Sequence, residues 1–150
     1  MKKIVTIAIA VMSLWLSTHY AATAPNSKPE NAFFYTHGFV FFFASTCPYC
    51  HQFSPVLSRV ANDFGAKVLP LSFDNQPLPE FKDFLPATSD WTTIAFKNQS
   101  IHYPALFIAN QRTQMLYPVS IGSLNERELT TRLEELIPKI IVYENTGSVS

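Results

Sequence analysis

The chain has 150 residues, 47% apolar and 15% charged, and its eleven basic and eleven acidic side chains cancel. That length allows one domain with a short processed segment but not two full domains, and the composition argues against disorder. Balanced charge leaves no basic face for nucleic acid, and two cysteines exclude both a disulfide-dense scaffold and a four-cysteine metal site within the chain.

Lys2 and Lys3 precede an apolar run, Ile4 to Leu16, broken only by Thr6 and Ser13 and followed by Ala22-Thr23-Ala24. At about 1.5 Å per helical residue this run spans roughly 20 Å, short of the roughly 30 Å of a membrane core. Basic start, short apolar centre and small-x-small ending form the pattern of a secretory signal peptide over residues 1–24. The alternative is an uncleaved anchor. Cleavage leaves nine basic and eleven acidic residues, a net charge of −2, and keeps all thirteen phenylalanines. Residues 25–38 open polar and proline-rich and read as a lead-in. A two-lysine n-region suits a bacterial exporter and places the mature chain in the periplasm of a Gram-negative cell, where disulfides persist.

Ala32 to Tyr35 is a short aromatic run, either a strand or the start of a helix. Phe39 to Ala44 is continuous, apolar and bounded by Gly38 and Ser45, the signature of a strand buried on both faces. Phe53, Val56, Leu57, Val60 and Phe64 then recur at helical spacing up to Gly65, with Pro55 inside the helix. Lys67 to Phe73 predicts a second strand, with Pro70 favouring an edge or a bulge. A short helix is expected near Pro79 to Leu85. Pro104 to Ala109 and Gln114 to Val119 predict a hairpin across the turn at Asn110 to Thr113. Ser123 and Glu126 have capping-box spacing. Leu129, Leu133 and Leu136 line a last helix ending near Ile137 at Pro138, and residues 144–150 read as a flexible tail. Strand, helix, strand, helical insert, hairpin and helix make an α/β fold: a three-layer sandwich with a mixed four-stranded sheet and helices on both faces.

Cys47-Pro48-Tyr49-Cys50 falls between the buried strand and the long helix. A thiol at a helix N-terminus meets free backbone N–H groups and the positive dipole end, which favour the thiolate. Pro48 fits the first helical position, where a missing N–H costs nothing. Cys47 is therefore the expected nucleophile. Cys50, one turn further in, is the expected resolving thiol, and the pair is expected to cycle between dithiol and a Cys47–Cys50 disulfide. Three alternatives stand beside this. A purely structural disulfide over so short a loop would stabilise little. A zinc site would need His37, His51 or His102, at no recognised spacing. Cys47 to His51 also spells the C-x-x-C-H pattern of c-type haem attachment, with Met115 the one methionine of the mature chain; a Soret band would reveal it. The expectation is no metal and no cofactor.

These residues resemble the thioredoxin-like thiol:disulfide oxidoreductases over roughly Phe39 to Ile137. The likeness rests on the apolar strand into CPYC, on Pro55 eight residues after Cys47, and on Tyr103-Pro104 opening a strand. It implies a thioredoxin-like domain over residues 39–143. It further implies that Pro104 is a cis-proline contacting substrate backbone and that Tyr103 is the specificity position before it; an ordinary trans proline at a strand start is the alternative. More narrowly, VFFFASTCPYCHQFSPVL is similar to the exported thiol:disulfide isomerases of F-type conjugative transfer systems, the TrbB-like family, whose active-site domain is related to DsbC. That resemblance implies disulfide interchange or isomerisation on exported clients, conjugative pilus assembly components among them, together with a redox donor or acceptor protein. It implies no nucleic-acid partner and no membrane anchor after cleavage. Two departures matter. The buried aspartate that thioredoxin carries six residues before its first motif cysteine is Phe41 here, and residues 25–38 are too short for a DsbC-type dimerisation domain, so a monomer is expected. His51, if protonated near Cys47, would favour its thiolate; a solvated surface histidine is the alternative. Tyr49 and Tyr103 frame an apolar groove for substrate or else serve structurally. The rival from another class is a redox-inert adaptor of the same fold.

Mass spectrometry of the exported chain is expected to find a mature N-terminus at Pro25; an intact Met1 on the folded protein would contradict cleavage.

Overall fold

The computed structural model describes residues 32–97 and 99–147. The expected signal peptide, residues 25–31 of the lead-in and residues 148–150 of the tail lie outside the described residues. The elements are β1 (His37–Phe43), α1 (Pro48–Phe64), β2 (Val68–Ser72), β3 (Leu85–Pro86), α2 (Ser89–Phe96), β4 (Ala105–Asn110), β5 (Leu116–Ile121) and α3 (Glu126–Gly147). They form one sheet in the order β3-β2-β1-β4-β5. β1 pairs in parallel with β2, from Phe39↔Val68 to Phe43↔Ser72, and antiparallel with β4, from His37↔Asn110 to Phe42↔Ala105. β5 closes the hairpin with β4.

All seven residues of β1 are buried. Because strand side chains alternate, Phe39, Phe41 and Phe43 face one core with Phe53, Leu57 and Val60 of α1 and Leu129, Leu133 and Ile137 of α3. Val40 and Phe42 face the other, with Leu71, Phe96 and Phe107. This is the three-layer α/β sandwich predicted from the continuous apolar run. Burying each such side chain stabilises the fold by roughly 1.5–3 kcal/mol. α1 ends where Gly65 turns left-handed at φ 64° and Ala66 N–H closes on the Ala61 carbonyl at 2.8 Å.

Four local expectations are corrected. The sheet has five strands, because Leu85–Pro86 adds a two-residue parallel edge to β2. That edge reaches only Leu71 and Ser72, so Pro70 lies beyond it. Phe73 N–H bonds β1 at the Phe43 carbonyl; by alternation, the N–H that Pro70 lacks belongs to the other side, away from β1. The helix of the insert is Ser89–Phe96, not Pro79 to Leu85; a Leu78↔Phe81 bridge occupies that stretch and folds both side chains into the α1 core. The capping box is Asn125 with Glu128, not Ser123 with Glu126: Glu128 N–H donates to Asn125 Oδ1 at 3.0 Å and Asn125 N–H to Glu128 Oε2 at 2.8 Å. Finally, α3 runs through Pro138 to Gly147. Its far half is anchored by Ile137 and Ile140 in the core and by Glu144, whose Oε1 accepts from Tyr117 OH at 2.8 Å, Asn110 Nδ2 at 2.9 Å and His37 Nε2 at 3.2 Å. Among the described residues no helix is long and apolar enough to cross a membrane.

Burial acts to raise the Glu144 carboxyl, but the hydrogen bonds from Asn110, His37 and Tyr117 outweigh it and hold the group below its ordinary value of 4.5. A depressed folded-state value contributes stability that is present above pH 4.5 and lost as pH falls through the folded-state value. Glu144→Ala strands the Asn110 amide and Tyr117 hydroxyl and is expected to lower stability by about 2 kcal/mol at pH 7. Glu144→Gln should flatten the acid limb of the stability curve; urea melts at stepped pH check both, and an unchanged acid limb would count against the anchor.

Candidate active site

The two-sided burial of β1 continues into Ala44, and Ser45 and Thr46 then turn the chain, with Cys47 N–H bonded to the Ala44 carbonyl at 3.1 Å. Cys47 is the N-cap of α1 in extended conformation, and its sulfur accepts the Cys50 N–H at 3.3 Å. Sulfur thus takes the place of the hydroxyl or carboxylate oxygen usual at a cap. Pro48 follows as the first helical residue. Both cysteines are free thiols in this structure, Cys47 partly exposed and Cys50 buried. Burial, joined by the hydrogen bond to the Cys47 side chain, pushes the Cys50 thiol up to about 12, and the charges of Cys47 and Asp74 add to the rise.

The segment before β4 meets the same point. The Tyr103–Pro104 peptide is cis, and the Cys47 thiol lies 3.9 Å from the Tyr103 carbonyl. Tyr103 packs its ring against Phe73 at 5.3 Å and stays 44% exposed. Tyr49, between the cysteines in the first turn of α1, is 62% exposed. Of the predicted site residues, Cys47, Pro48, Tyr49, Cys50, Tyr103 and Pro104 therefore gather around one sulfur. His51 joins them differently: its Nε2 lies 2.6 Å from the Ser45 carbonyl. A carbonyl only accepts, so that nitrogen carries the proton, and the ring braces the loop rather than directing this N–H at Cys47. The three histidines considered as zinc ligands do not converge, for His37 sits at the opposite end of β1 with Glu144. Among the described residues no group of three or more His, Cys, Asp or Glu is arranged to hold a metal.

The position of the missing acid is filled with rings. Phe41 is fully buried and stands 5.4 Å from Phe43, 5.8 Å from Phe53 and 5.4 Å from Phe81. The carboxylate nearest the loop comes from elsewhere. Asp74 Oδ2 accepts from the Ser45 hydroxyl at 2.7 Å and the Thr46 N–H at 3.3 Å, and Oδ1 from the Ser72 hydroxyl at 2.9 Å. Burial acts to raise Asp74, but these hydrogen bonds prevail and hold it below the usual carboxylate range. In the sequence Asp74 belongs to no motif and opens the polar, proline-rich stretch that follows Phe73. The signal was the parallel register: with Phe43 opposite Ser72, two further residues bring Ser45 level with Asp74.

The family described as "TraF: F plasmid transfer operon protein" matches residues 33–134. Protein TrbB of Escherichia coli (strain K12) is 31% identical over 98 residues, which are 65% of this chain and 54% of that protein. The chain thus spans about half the length of the curated relative it matches. Among solved structures, a thiol:disulfide interchange protein of the thioredoxin family from Chlorobium tepidum TLS aligns with TM-score 0.53 at 16% identity, covering 71% of this chain and 83% of that one. The pneumococcal exposed lipoprotein thioredoxin from Streptococcus pneumoniae strain TIGR4 aligns with TM-score 0.51 at 13% identity, covering 71% and 89%. These likenesses establish the thioredoxin-like fold.

With its thiol buried and pushed up to about 12, Cys50 keeps its proton at pH 7.5 and is shielded from reagents, whereas Cys47 is partly exposed. Iodoacetamide is expected to label the folded, reduced protein once, at Cys47, and twice in denaturant. Equal labelling of both thiols in the folded protein would refute the assigned asymmetry.

Proposed function

The chain belongs to the TraF family of F plasmid transfer operon proteins, and we propose that it is an exported thiol:disulfide oxidoreductase and isomerase acting on disulfides of exported proteins, conjugative pilus assembly and transfer components in particular. The observation that carries this reading is the placement of one accessible sulfur, Cys47, at the cap of α1, 3.3 Å from the Cys50 N–H and beside the cis peptide Tyr103–Pro104. Free N–H groups and the helix dipole favour negative charge there.

In the proposed cycle the Cys47 thiolate attacks one sulfur of a client disulfide. A Cys47–client disulfide forms and the other client sulfur leaves as a thiolate. Cys50, having lost its proton to solvent or a nearby base, then attacks the Cys47 sulfur. The client leaves as a dithiol and the protein holds a Cys47–Cys50 disulfide, a net two-electron reduction of the client. If a client thiol attacks first, the client disulfide is rearranged and the enzyme returns reduced. Tyr49 and Tyr103 offer exposed aromatic surface, with the half-buried Phe73 behind Tyr103, on which an unfolded segment can rest. The apolar run Ile4 to Leu16 and the Ala22-Thr23-Ala24 site support export to the periplasm. The clients are disulfide-containing exported proteins, a separate redox protein resets the pair, and the mature protein works as a monomer without a metal or cofactor.

Refolding of scrambled ribonuclease, with parallel capture of mixed disulfides, tests the reading. Cys47→Ser is expected to reduce activity to the uncatalysed rate, whereas Cys50→Ser should accumulate client adducts on Cys47. Full turnover by Cys47→Ser would overturn the assignment of the nucleophile, and a wild type inert in every exchange assay would favour the adaptor.

A further inference from the structure

The loop that presents Cys47 is held from two sides. His51 Nε2–H reaches the Ser45 carbonyl at 2.6 Å, and Asp74 gathers the Ser45 hydroxyl at 2.7 Å and the Thr46 N–H at 3.3 Å. Asp74 is itself fixed by the Ser72 hydroxyl, on the last residue of β2. The carboxylate therefore has little freedom, stays ionised through its hydrogen bonds, and stands one residue from the nucleophilic cap. Of the other titratable side chains around the pair, Tyr49 and His51 lie on α1 within four residues of Cys47 and Tyr103 meets it from the segment ahead of β4, and none of the three is a carboxylate. Glu80 is engaged by the buried Ser54 hydroxyl, one helical turn beyond Cys50.

We propose that Asp74 is a positioning residue of the cysteine pair: it clamps Ser45 and Thr46 so that Cys47 caps α1, and its fixed negative charge opposes the thiolate and sets the pair toward the reducing direction. The inference rests on the redox reading above and supplies the direction that reading leaves open. The physical reason is a balance of two fields. The helix N-terminus stabilises a thiolate and so stabilises the dithiol state, which makes a pair oxidising. A carboxylate anchored to the same loop subtracts from that stabilisation, leaving the dithiol a better electron donor. Its charge already contributes to the raised Cys50 thiol.

The test is the glutathione exchange equilibrium of the full mature protein. Protein dithiol plus glutathione disulfide gives protein disulfide plus two reduced glutathione sulfurs; two electrons leave the protein pair, and whichever protons its sulfurs carry pass to the glutathione sulfurs or to solvent. Asp74→Asn keeps an oxygen for Ser45 and removes the charge. Alkaline solution favours thiolates and acid suppresses them, so at pH 9 Asp74→Asn is expected to lower the constant for oxidation of the protein about tenfold, the order of one unit charge acting through a partly screened surface, equivalent to about 30 mV. At pH 5 the two proteins should agree within twofold. Asp74→Ser, which retains a hydroxyl for the loop, should behave alike if Asp74→Asn fails to fold. Ser45→Ala keeps the charge but loses the shorter arm of the clamp, and its constant at pH 9 should move less than that of Asp74→Asn. An Asp74→Asn constant within twofold of wild type at pH 9, or a shift of equal size at both pH values, would overturn the proposal. A wild type that never exchanges with glutathione would instead fail the redox reading itself.

Discussion

With protein on both sides of β1 and hydrogen-bonded strands along both its edges, the chain cannot turn until the sheet ends at Ala44. The helix that covers one face must begin almost at once, because Phe53, Leu57 and Val60 have to lie over Phe39, Phe41 and Phe43. Three residues, Ser45 to Cys47, make the passage, and the last becomes a helix cap by geometry. Reactivity at Cys47 is in this sense a by-product of packing. The same burial that fixes the core leaves a sulfur at the point where unpaired N–H groups gather.

Replacing an acid by Phe41 changes the electrostatics behind that point. An aspartate in the sheet would place a second titrating group under Cys50; a phenylalanine ring adds to an apolar cluster with Phe43, Phe53 and Phe81 instead. Cys50 is buried in the same apolar cluster, and burial is the chief cause that pushes its thiol up to about 12. Negative charge is moved outward, to the rim, where Asp74 is stabilised by donors from three residues. A carboxylate held below its usual range is a weak base, so it acts on the thiols through its field and its hydrogen bonds rather than by taking a proton.

The central features were legible because each rests on a local or strictly periodic signal. A continuous apolar strand, a helical stripe beginning after CPYC and a glycine stop at Gly65 need no tertiary knowledge. What was not legible depended on partners distant in sequence. Leu85–Pro86 is a strand only because Ser72 and Leu71 offer an open edge. Pro138 fails to end α3 because Ile140 finds the core and Glu144 finds three donors from β1, β4 and β5. The capping box moved two residues because Asn125 and Glu128 satisfy each other equally well in sequence terms. Asp74 needed the register between β1 and β2, which no single segment reveals.

The inequality between the two thiols also orders events in time. In the dithiol, three influences beyond burial keep Cys50 protonated: its hydrogen bond with Cys47, the charge of Cys47 and the charge of Asp74. In the proposed cycle a Cys47 tied to a client sulfur would carry no charge and no thiol proton, so the two influences that come from Cys47 would fall away while burial and Asp74 remain. Cys50 becomes easier to ionise only at the step that requires it as a nucleophile. Escape of the mixed disulfide by the protein's own thiol then competes with attack by a client thiol. In that proposed cycle the balance between reduction and rearrangement turns on how far burial still holds the Cys50 proton.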